Sequence, residues 1–67
     1  MSPKRLRTVL KALREKKGLS QTEVAKRSGV TRFYVSQLES GLRKNPSLPV
    51  LKRLARALGV PVTELLG

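Results

Sequence analysis

The side chains that most often carry catalysis or bind metals are scarce in this sequence. All four acidic residues are glutamates, and the chain contains no aspartate, histidine or cysteine. A structural zinc site takes cysteine and histidine ligands, and nucleophilic catalysis needs a nucleophile beside a base. We therefore expect no enzyme activity, no metal and no cofactor. Hydrogen bonding and positive charge are the chemistry that remains.

Positive charge dominates the composition. The 67 residues include 15 lysines and arginines against 4 glutamates, which gives a net charge of +11. A small domain with this much charge of one sign repels itself, and a polyanion is the natural compensating partner. Nucleic acid is the first candidate for that partner, and an anionic membrane surface is the second.

The length and the patterning predict one small domain. We expect residues 1–67 to form a single unit around a thin core, without room for an effector pocket. No apolar run approaches the roughly 20 residues that a membrane span requires, and the N-terminus does not resemble a signal peptide. The lack of cysteine is compatible with a reducing compartment. These features predict a cytoplasmic protein that does not enter a membrane.

The periodicity of apolar residues predicts an all-α fold with five helices and no strand. Apolar residues recur at helical spacing, and glycines or capping residues separate the segments. Ser20 and Glu23, for example, have the spacing of a capping box at the start of the second helix. The predicted helices span residues 3–17, 21–28, 32–40, 48–58 and 62–66. The predicted core is aliphatic and comprises Leu6, Leu10, Leu13, Leu19, Val24, Ala25, Val35, Leu38, Leu51, Leu54, Ala55, Leu58 and Leu65.

The third predicted helix has two unlike faces. At about 100° per residue, one sector contains Thr31, Val35, Leu38 and Leu42, and the opposite side contains Phe33, Ser36, Gln37 and Ser40. Phe33 could be a core aromatic residue, but it falls opposite Val35 and Leu38. The helical wheel therefore favours an exposed Phe33 on an outer face that is otherwise polar.

Residues 21–40 resemble the helix-turn-helix of the Cro and phage-repressor family, also called the XRE family. Ala25 occupies the position where two helices approach closely, Gly29 occupies the turn, and Val35 and Leu38 occupy inward positions of the recognition helix. The residues that follow resemble the rest of the same domain, so the resemblance covers almost the whole chain. It implies a compact, lambda-repressor-like DNA-binding domain of five helices.

The resemblance also implies which residues contact DNA. In this family the third helix enters the major groove, and the second helix lies across the backbone. Arginine can pair bidentately with guanine, glutamine can pair with adenine, and phenylalanine can touch a thymine methyl. The residues placed against bases are Thr31, Arg32, Phe33 and Gln37, and those placed against phosphates are Gln21, Tyr34, Ser40, Arg43, Lys44 and Asn45. Loss of Arg43 should then weaken binding to all duplexes, and loss of Gln37 should weaken binding to the preferred site.

Some charged residues have other expected roles. Arg14, near the end of the first helix, and Glu39, near the end of the third, match positions that form an ion pair in many members of this fold. We expect these two side chains to meet and to be partly buried. Most other cations of the first and fourth helices are interpreted as a solvated face, although Lys4, Arg5 and Arg7 are candidates for an extra arm on DNA.

The function predicted from these features is sequence-specific regulation of transcription on double-stranded DNA, with repression as the first choice. One recognition helix reads too few base pairs to select a genomic site, so two copies should bind an inverted repeat. Because a charge of +11 opposes association, we expect a weak homodimer that is completed on DNA, with residues 60–66 as the candidate seam.

Several alternatives remain open at this stage. An antitoxin or a restriction-modification controller would use the same domain, and the neighbouring genes would separate them. A cationic membrane binder is a weaker hypothesis, because the sequence lacks tryptophan and its helices carry caps. An RNA-binding or protein-interaction module is also weaker, because Phe33 and Tyr34 are the only aromatic residues available for stacking on bases.

Overall fold

Five α-helices make up most of the structure. The computed structural model describes residues 3–66, with side chains from residue 5 onward, and no strand occurs in that range. The helices are α1 (Pro3–Lys16), α2 (Gln21–Ser28), α3 (Arg32–Ser40), α4 (Leu48–Leu58) and α5 (Thr63–Leu66). The predicted all-α, five-helix fold is therefore confirmed. Relative to the predicted ranges, α1 ends one residue earlier and α5 begins one residue later.

Short polar side chains begin three of the helices. The hydroxyl of Ser20 accepts a hydrogen bond from the Glu23 backbone N–H at 3.0 Å, and the Glu23 carboxylate accepts one from the Ser20 backbone N–H at 2.9 Å. Hydrogen bonding from Ser20 to the Glu23 carboxylate, first from the Ser20 backbone N–H and then from the Ser20 side chain, lowers the pKa of Glu23 below its ordinary value. Thr31 and Ser47 cap α3 and α4 by accepting from a backbone N–H in the first turn.

One aliphatic cluster to which all five helices contribute forms the core. α2 packs against α3 and α4, and α1 packs against α3 and α5. Leu13 and Leu19, which the sequence assigns to the core, are only partly buried and pack against its edge. Each fully buried leucine or valine stabilises the fold by about 1.5–3 kcal/mol. The buried members are Leu6, Leu10, Val24, Ala25, Val35, Leu38, Leu51, Leu54, Ala55, Leu58 and Leu65.

Leu42 is not part of the inward face of α3, contrary to the helical-wheel prediction. Its side chain is 77% exposed. The prediction continued the helical period beyond Ser40, but the helix ends there because Gly41 adopts a φ of 85°. A residue with positive φ turns the chain out of the helical path. Thr31, which the wheel places in the same sector, is the exposed N-cap of α3.

Candidate nucleic-acid interface

α2 and α3 form a helix-turn-helix unit with a very short connection. Only residues 29–31 separate the two helices. Gly29 has a φ of 72°, and the N–H of Val30 donates to the carbonyl of Ala25 at 3.1 Å. Glycine adopts this backbone conformation without the steric cost that other residues incur. The backbone of the turn therefore sets the direction in which α3 leaves α2.

α3 is anchored on one side and open to solvent on the other. Val35 and Leu38 are at most 1% exposed and belong to the core. Phe33 is 69% exposed, as the helical wheel predicts, and Arg32 beside it is also exposed. These two side chains offer an apolar surface and a rigid fork of N–H donors. Both are groups that contact base edges in the major groove.

The hydroxyl groups at the two ends of α3 make local hydrogen bonds. Thr31 Oγ1 accepts from the backbone N–H of Tyr34 at 3.0 Å, and Ser40 Oγ donates to the carbonyl of Gln37 at 3.2 Å. Both residues are exposed. The structure thus gives each hydroxyl a role within the helix. A base contact by Thr31 and a phosphate contact by Ser40 remain predictions.

A polar network behind α3 joins it to α1 and α2. Arg14 donates through Nε to Glu39 Oε2 at 2.7 Å and through Nη2 to Oε1 at 3.0 Å, and the two side chains are 13% and 5% exposed. Arg14 Nη1 donates to the carbonyl of Leu19 at 2.8 Å, and Gln21 Nε2 donates to Glu39 Oε1 at 3.1 Å. The hydrogen bond with Glu39 holds the pKa of Arg14 above its ordinary value. The ion pair expected from the sequence is therefore present.

This network also affects the surface that would meet DNA. Glu39 is the one acidic residue of α3, and its charge is buried against Arg14 instead of facing a partner. Gln21, which the sequence assigns to a phosphate, uses one N–H of its amide to bind Glu39. The bond between Gln21 and Glu39 could not be predicted from the sequence, because helical periodicity does not indicate polar contacts between residues 18 positions apart.

Gln37 and Arg43, which the sequence assigns to a base and to a phosphate, are bonded to each other. Nε and Nη2 of Arg43 donate to Oε1 of Gln37 at 3.2 and 3.1 Å. The guanidinium carbon of Arg43 also lies 4.6 Å from the centroid of the Tyr34 ring, within range of a cation–π interaction. We call Tyr34, Gln37 and Arg43 the Gln37 clamp. Because of these contacts, the orientation of the Gln37 side chain depends on Arg43.

The backbone after Gly41 brings Arg43 to the clamp. Arg43 donates its N–H to the Gln37 carbonyl at 3.1 Å, six residues earlier. At the other three glycine-terminated helix ends, the residue directly after the glycine donates to the carbonyl five residues earlier, and these residues are Leu19, Val30 and Val60. After α3, the hydrogen bond that closes the helix end therefore comes from the second residue after the glycine and not from the first. This path leaves Leu42 in solvent and directs Arg43 back to α3. No spacing in the sequence distinguishes this helix end from the others.

Several basic and polar groups lie around the C-terminal end of α3. Lys44 and Asn45 are exposed in the connection to α4. Arg7 of α1 reaches the same end, since a Cβ added to Gly41 would lie 2.6 Å from its Nη1. Arg7 is therefore placed against α3, and not in an N-terminal arm. Arg5 is exposed on α1, and the side chain of Lys4 lies outside the described residues.

The described residues contain neither a membrane-spanning helix nor a cluster of metal ligands. Between residues 3 and 66, no helix is both long and apolar enough to cross a membrane. In the same part of the chain, no three histidine, cysteine or acidic side chains are grouped so that they could hold a metal ion.

Known proteins resemble this chain in both sequence and structure. A family model described as Helix-turn-helix matches residues 10–65. The HTH-type transcriptional regulator y4dJ of Sinorhizobium fredii is 53% identical over 53 residues, which cover 79% of this chain and 68% of the relative. SinR of Bacillus subtilis is 39% identical over 57 residues, which cover 85% of this chain and 51% of SinR. The chain thus spans about half the length of SinR.

Solved structures give the same result. The crystal structure of SinR, the master regulator for biofilm formation, in complex with DNA has a TM-score of 0.88 and 35% identity, covering 92% of this chain and 98% of that chain. The restriction-modification controller protein C.AhdI from Aeromonas hydrophila has a TM-score of 0.86 and 43% identity, covering 91% of each chain. The match spans most of the sequence and includes the α2–α3 unit, so the chain belongs to the XRE-type helix-turn-helix family.

Proposed function

We propose that this chain is a sequence-specific transcriptional regulator that binds an operator in double-stranded DNA through α3. The observation that carries the proposal is the outer face of α3, where Arg32 and Phe33 are exposed on a helix anchored by the core and by the Arg14–Glu39 pair. The structural match to SinR in complex with DNA supports this function. An immunity repressor of Bacillus phage phi105, 36% identical over 58 residues, favours repression over activation.

In the proposed complex α3 lies in the major groove and α2 crosses the DNA backbone. The net charge of +11 provides affinity for any duplex by displacing counterions from phosphates. Base contacts then provide the discrimination between sequences. The base contacts are assigned to Thr31, Arg32, Phe33 and Gln37, and the phosphate contacts are assigned to Gln21, Tyr34, Ser40, Arg43, Lys44 and Asn45.

Two copies act together in this proposal. A single α3 reads too few base pairs to select one site among about 10⁶ or more competitors, whereas a two-fold dimer places two such helices about 34 Å apart on one face of DNA. Repulsion between protomers that each carry +11 disfavours the free dimer. In the candidate seam, Leu65 is buried, and Val60, Val62 and Leu66 pack against the core. Only their outer edges are available to a partner, which fits a weak dimer completed on DNA.

A restriction-modification controller is the second candidate function. It is favoured by the 43% identity with C.AhdI over 91% of both chains. Such a controller would use the same α3 face, so the genomic neighbourhood distinguishes the two functions. Adjacent genes for a restriction endonuclease and a methyltransferase would support the controller, and an adjacent toxin gene would support an antitoxin. In each case the protein acts on double-stranded DNA in the cytoplasm, without a cofactor, an effector or catalysis of its own.

Selection of bound sequences from random duplex DNA tests the proposed function. We expect an inverted repeat whose half-sites lie about one helical turn apart, and two chains per duplex by analytical ultracentrifugation. Arg32→Ala should reduce discrimination at one position of each half-site by about 1–3 kcal/mol. Lys52→Ala, which removes an exposed charge from α4, is the matched control and should leave the selected sequence unchanged. Failure to enrich any sequence, or a strict one-to-one complex on an asymmetric site, would contradict the proposal.

A further inference from the structure

The Gln37 clamp determines which hydrogen-bonding group Gln37 can offer to a partner. A glutamine amide carries an acceptor oxygen and an NH₂ donor, and rotation of its last bond exchanges them. Here two donors of Arg43 converge on Oε1 of Gln37, at 3.2 and 3.1 Å. A guanidinium has no acceptor, so the NH₂ end of Gln37 cannot take the place of Oε1. Oε1 is therefore occupied, and Nε2 is the group left for an external partner.

Arg43 is held in this position at both its backbone and its side chain. Its N–H donates to the Gln37 carbonyl at 3.1 Å, and its guanidinium lies 4.6 Å from the centroid of the Tyr34 ring. Tyr34 is itself partly buried and packs against the core. These contacts order a long side chain before any ligand is present. The guanidinium N–H groups that Gln37 does not use remain available for a phosphate.

We propose that Arg43 is a specificity-determining residue that makes Gln37 a hydrogen-bond donor in the major groove. This inference rests on the proposed function and deepens it. Adenine offers the acceptor N7 and the donor N6–H₂, so glutamine pairs with it bidentately only when Oε1 is free. Guanine offers two acceptors, O6 and N7, which suit a donor at Nε2. The clamp therefore selects guanine over adenine at the base pair that Gln37 contacts, the reverse of the preference expected for an unrestrained glutamine.

The test begins by locating the base pair that Gln37 contacts. Selection from random duplexes with the parent and with Gln37→Ala should identify it as the position where the variant loses its preference. Competition binding then compares duplexes that carry guanine or adenine at this position and are otherwise identical. The parent should prefer guanine. Arg43→Ala releases Oε1 and should lower the guanine-to-adenine affinity ratio by at least about fivefold, the lower bound for one bidentate contact.

Two further variants separate this effect from a simple loss of charge. Arg43→Lys keeps the charge but replaces the rigid fork by a single ammonium group. It should lower the guanine-to-adenine ratio as Arg43→Ala does, while the salt dependence of binding stays near that of the parent. Lys44→Ala removes the neighbouring exposed cation. It should reduce the slope of log affinity against log salt by about one unit and leave the ratio unchanged.

Each remaining outcome bears on the inference in a definite way. It is overturned if the parent prefers adenine at the Gln37 position, if both Arg43 variants keep the parental ratio, or if Lys44→Ala lowers the ratio equally. It is also overturned if Gln37→Ala changes the preference at no position. In all four cases the proposed function survives, because the parent still selects a sequence. A parent that selects no sequence fails the proposed function and the inference together. Thermal melts should show the Arg43 and Lys44 variants folded, since both residues are exposed.

Discussion

The two faces of α3 differ in where their partners come from. On the inward face, Val35 and Leu38 pack in the core and Glu39 binds Arg14 and Gln21, so each partner is another helix residue of the same domain. On the outward face, Arg32 and Phe33 are exposed, and Gln37 is held by Arg43 from the connection that follows the helix. Under the proposed function, residues that stabilise the fold and residues that recognise DNA are therefore immediate neighbours in sequence, such as Leu38 and Gln37.

Among substitutions of polar residues and glycines, removal of the inward polar anchor should have the largest effect on stability. Glu39→Ala leaves the guanidinium of Arg14 and the amide of Gln21 without their acceptor in a site that is mostly closed to solvent. Breaking a buried pair in this way costs about 3–5 kcal/mol, and residual solvent access to Arg14 places the expected loss near the lower end. Urea unfolding monitored by circular dichroism measures this loss.

Glu39→Gln is the matched control for the inward anchor. It keeps an acceptor oxygen for Arg14 but removes the charge, so its stability should lie between those of the parent and Glu39→Ala. If Glu39→Ala is as stable as the parent, the polar network does not stabilise the packing of α3. The two faces would then differ in stability only through the apolar packing of the inward one.

A substitution at the end of α3 should have the next largest effect. Gly41→Ala places a side chain at a φ of 85°, which costs about 1–2 kcal/mol, and brings the new Cβ within 2.6 Å of Nη1 of Arg7. Gly29→Ala is the control, because its φ of 72° imposes a similar backbone cost while the nearest atom, Nη1 of Arg53, is 4.0 Å away. The difference between the unfolding free energies of the two variants measures the additional cost of displacing the Arg7 side chain. A Gly41→Ala protein with parental stability would show that the connection tolerates another path.

Phe33→Ala should show most clearly that the outward face of α3 affects binding and not folding. Because Phe33 is 69% exposed, its truncation should change the unfolding free energy by no more than about 0.5 kcal/mol, while affinity for the selected operator falls. Leu38→Ala, on the opposite face of the same helix, should cost about 2–5 kcal/mol. Unfolding and operator titrations on both variants provide the comparison. Loss of stability in Phe33→Ala would show that the outward face also supports the fold.

The smallest effect concerns acid stability at the start of α2. The pKa of Glu23 is lowered in the folded protein, so its carboxylate contributes stability above its ordinary pKa of 4.5, and this contribution is lost as the pH falls through the lowered value. Glu23→Gln keeps an acceptor for the Ser20 N–H but does not titrate. Below pH 4.5 the parent should therefore lose stability more steeply than the variant in a series of thermal melts. Parallel curves would assign the acid dependence to other carboxylates.

Sequence reasoning predicted the inward face of α3 far better than the outward one. Helical periodicity and capping signals located the helices, and the core positions Val35 and Leu38 follow from the same pattern. The prediction for Leu42 was wrong because apolar periodicity does not indicate the residue at which a helix ends. The Gln37 clamp was missed for a related reason, since it depends on the path of the chain after Gly41 and on which N–H closes the last turn. The Arg14–Glu39 pair was foreseen through family resemblance, not through spacing.

The network behind α3 also bears on the thermodynamics of binding. Hydrogen bonds from Arg14 to Glu39 and Leu19, and from Gln21 to Glu39, already tie α1, α2 and α3 together before a ligand arrives. The conformational entropy of orienting α3 is therefore lost during folding and is not lost again in the complex. What remains to be ordered is the set of long surface side chains, such as Arg32 and Lys44. The heat capacity change of association should accordingly match the surface buried at the interface, with no additional contribution from folding.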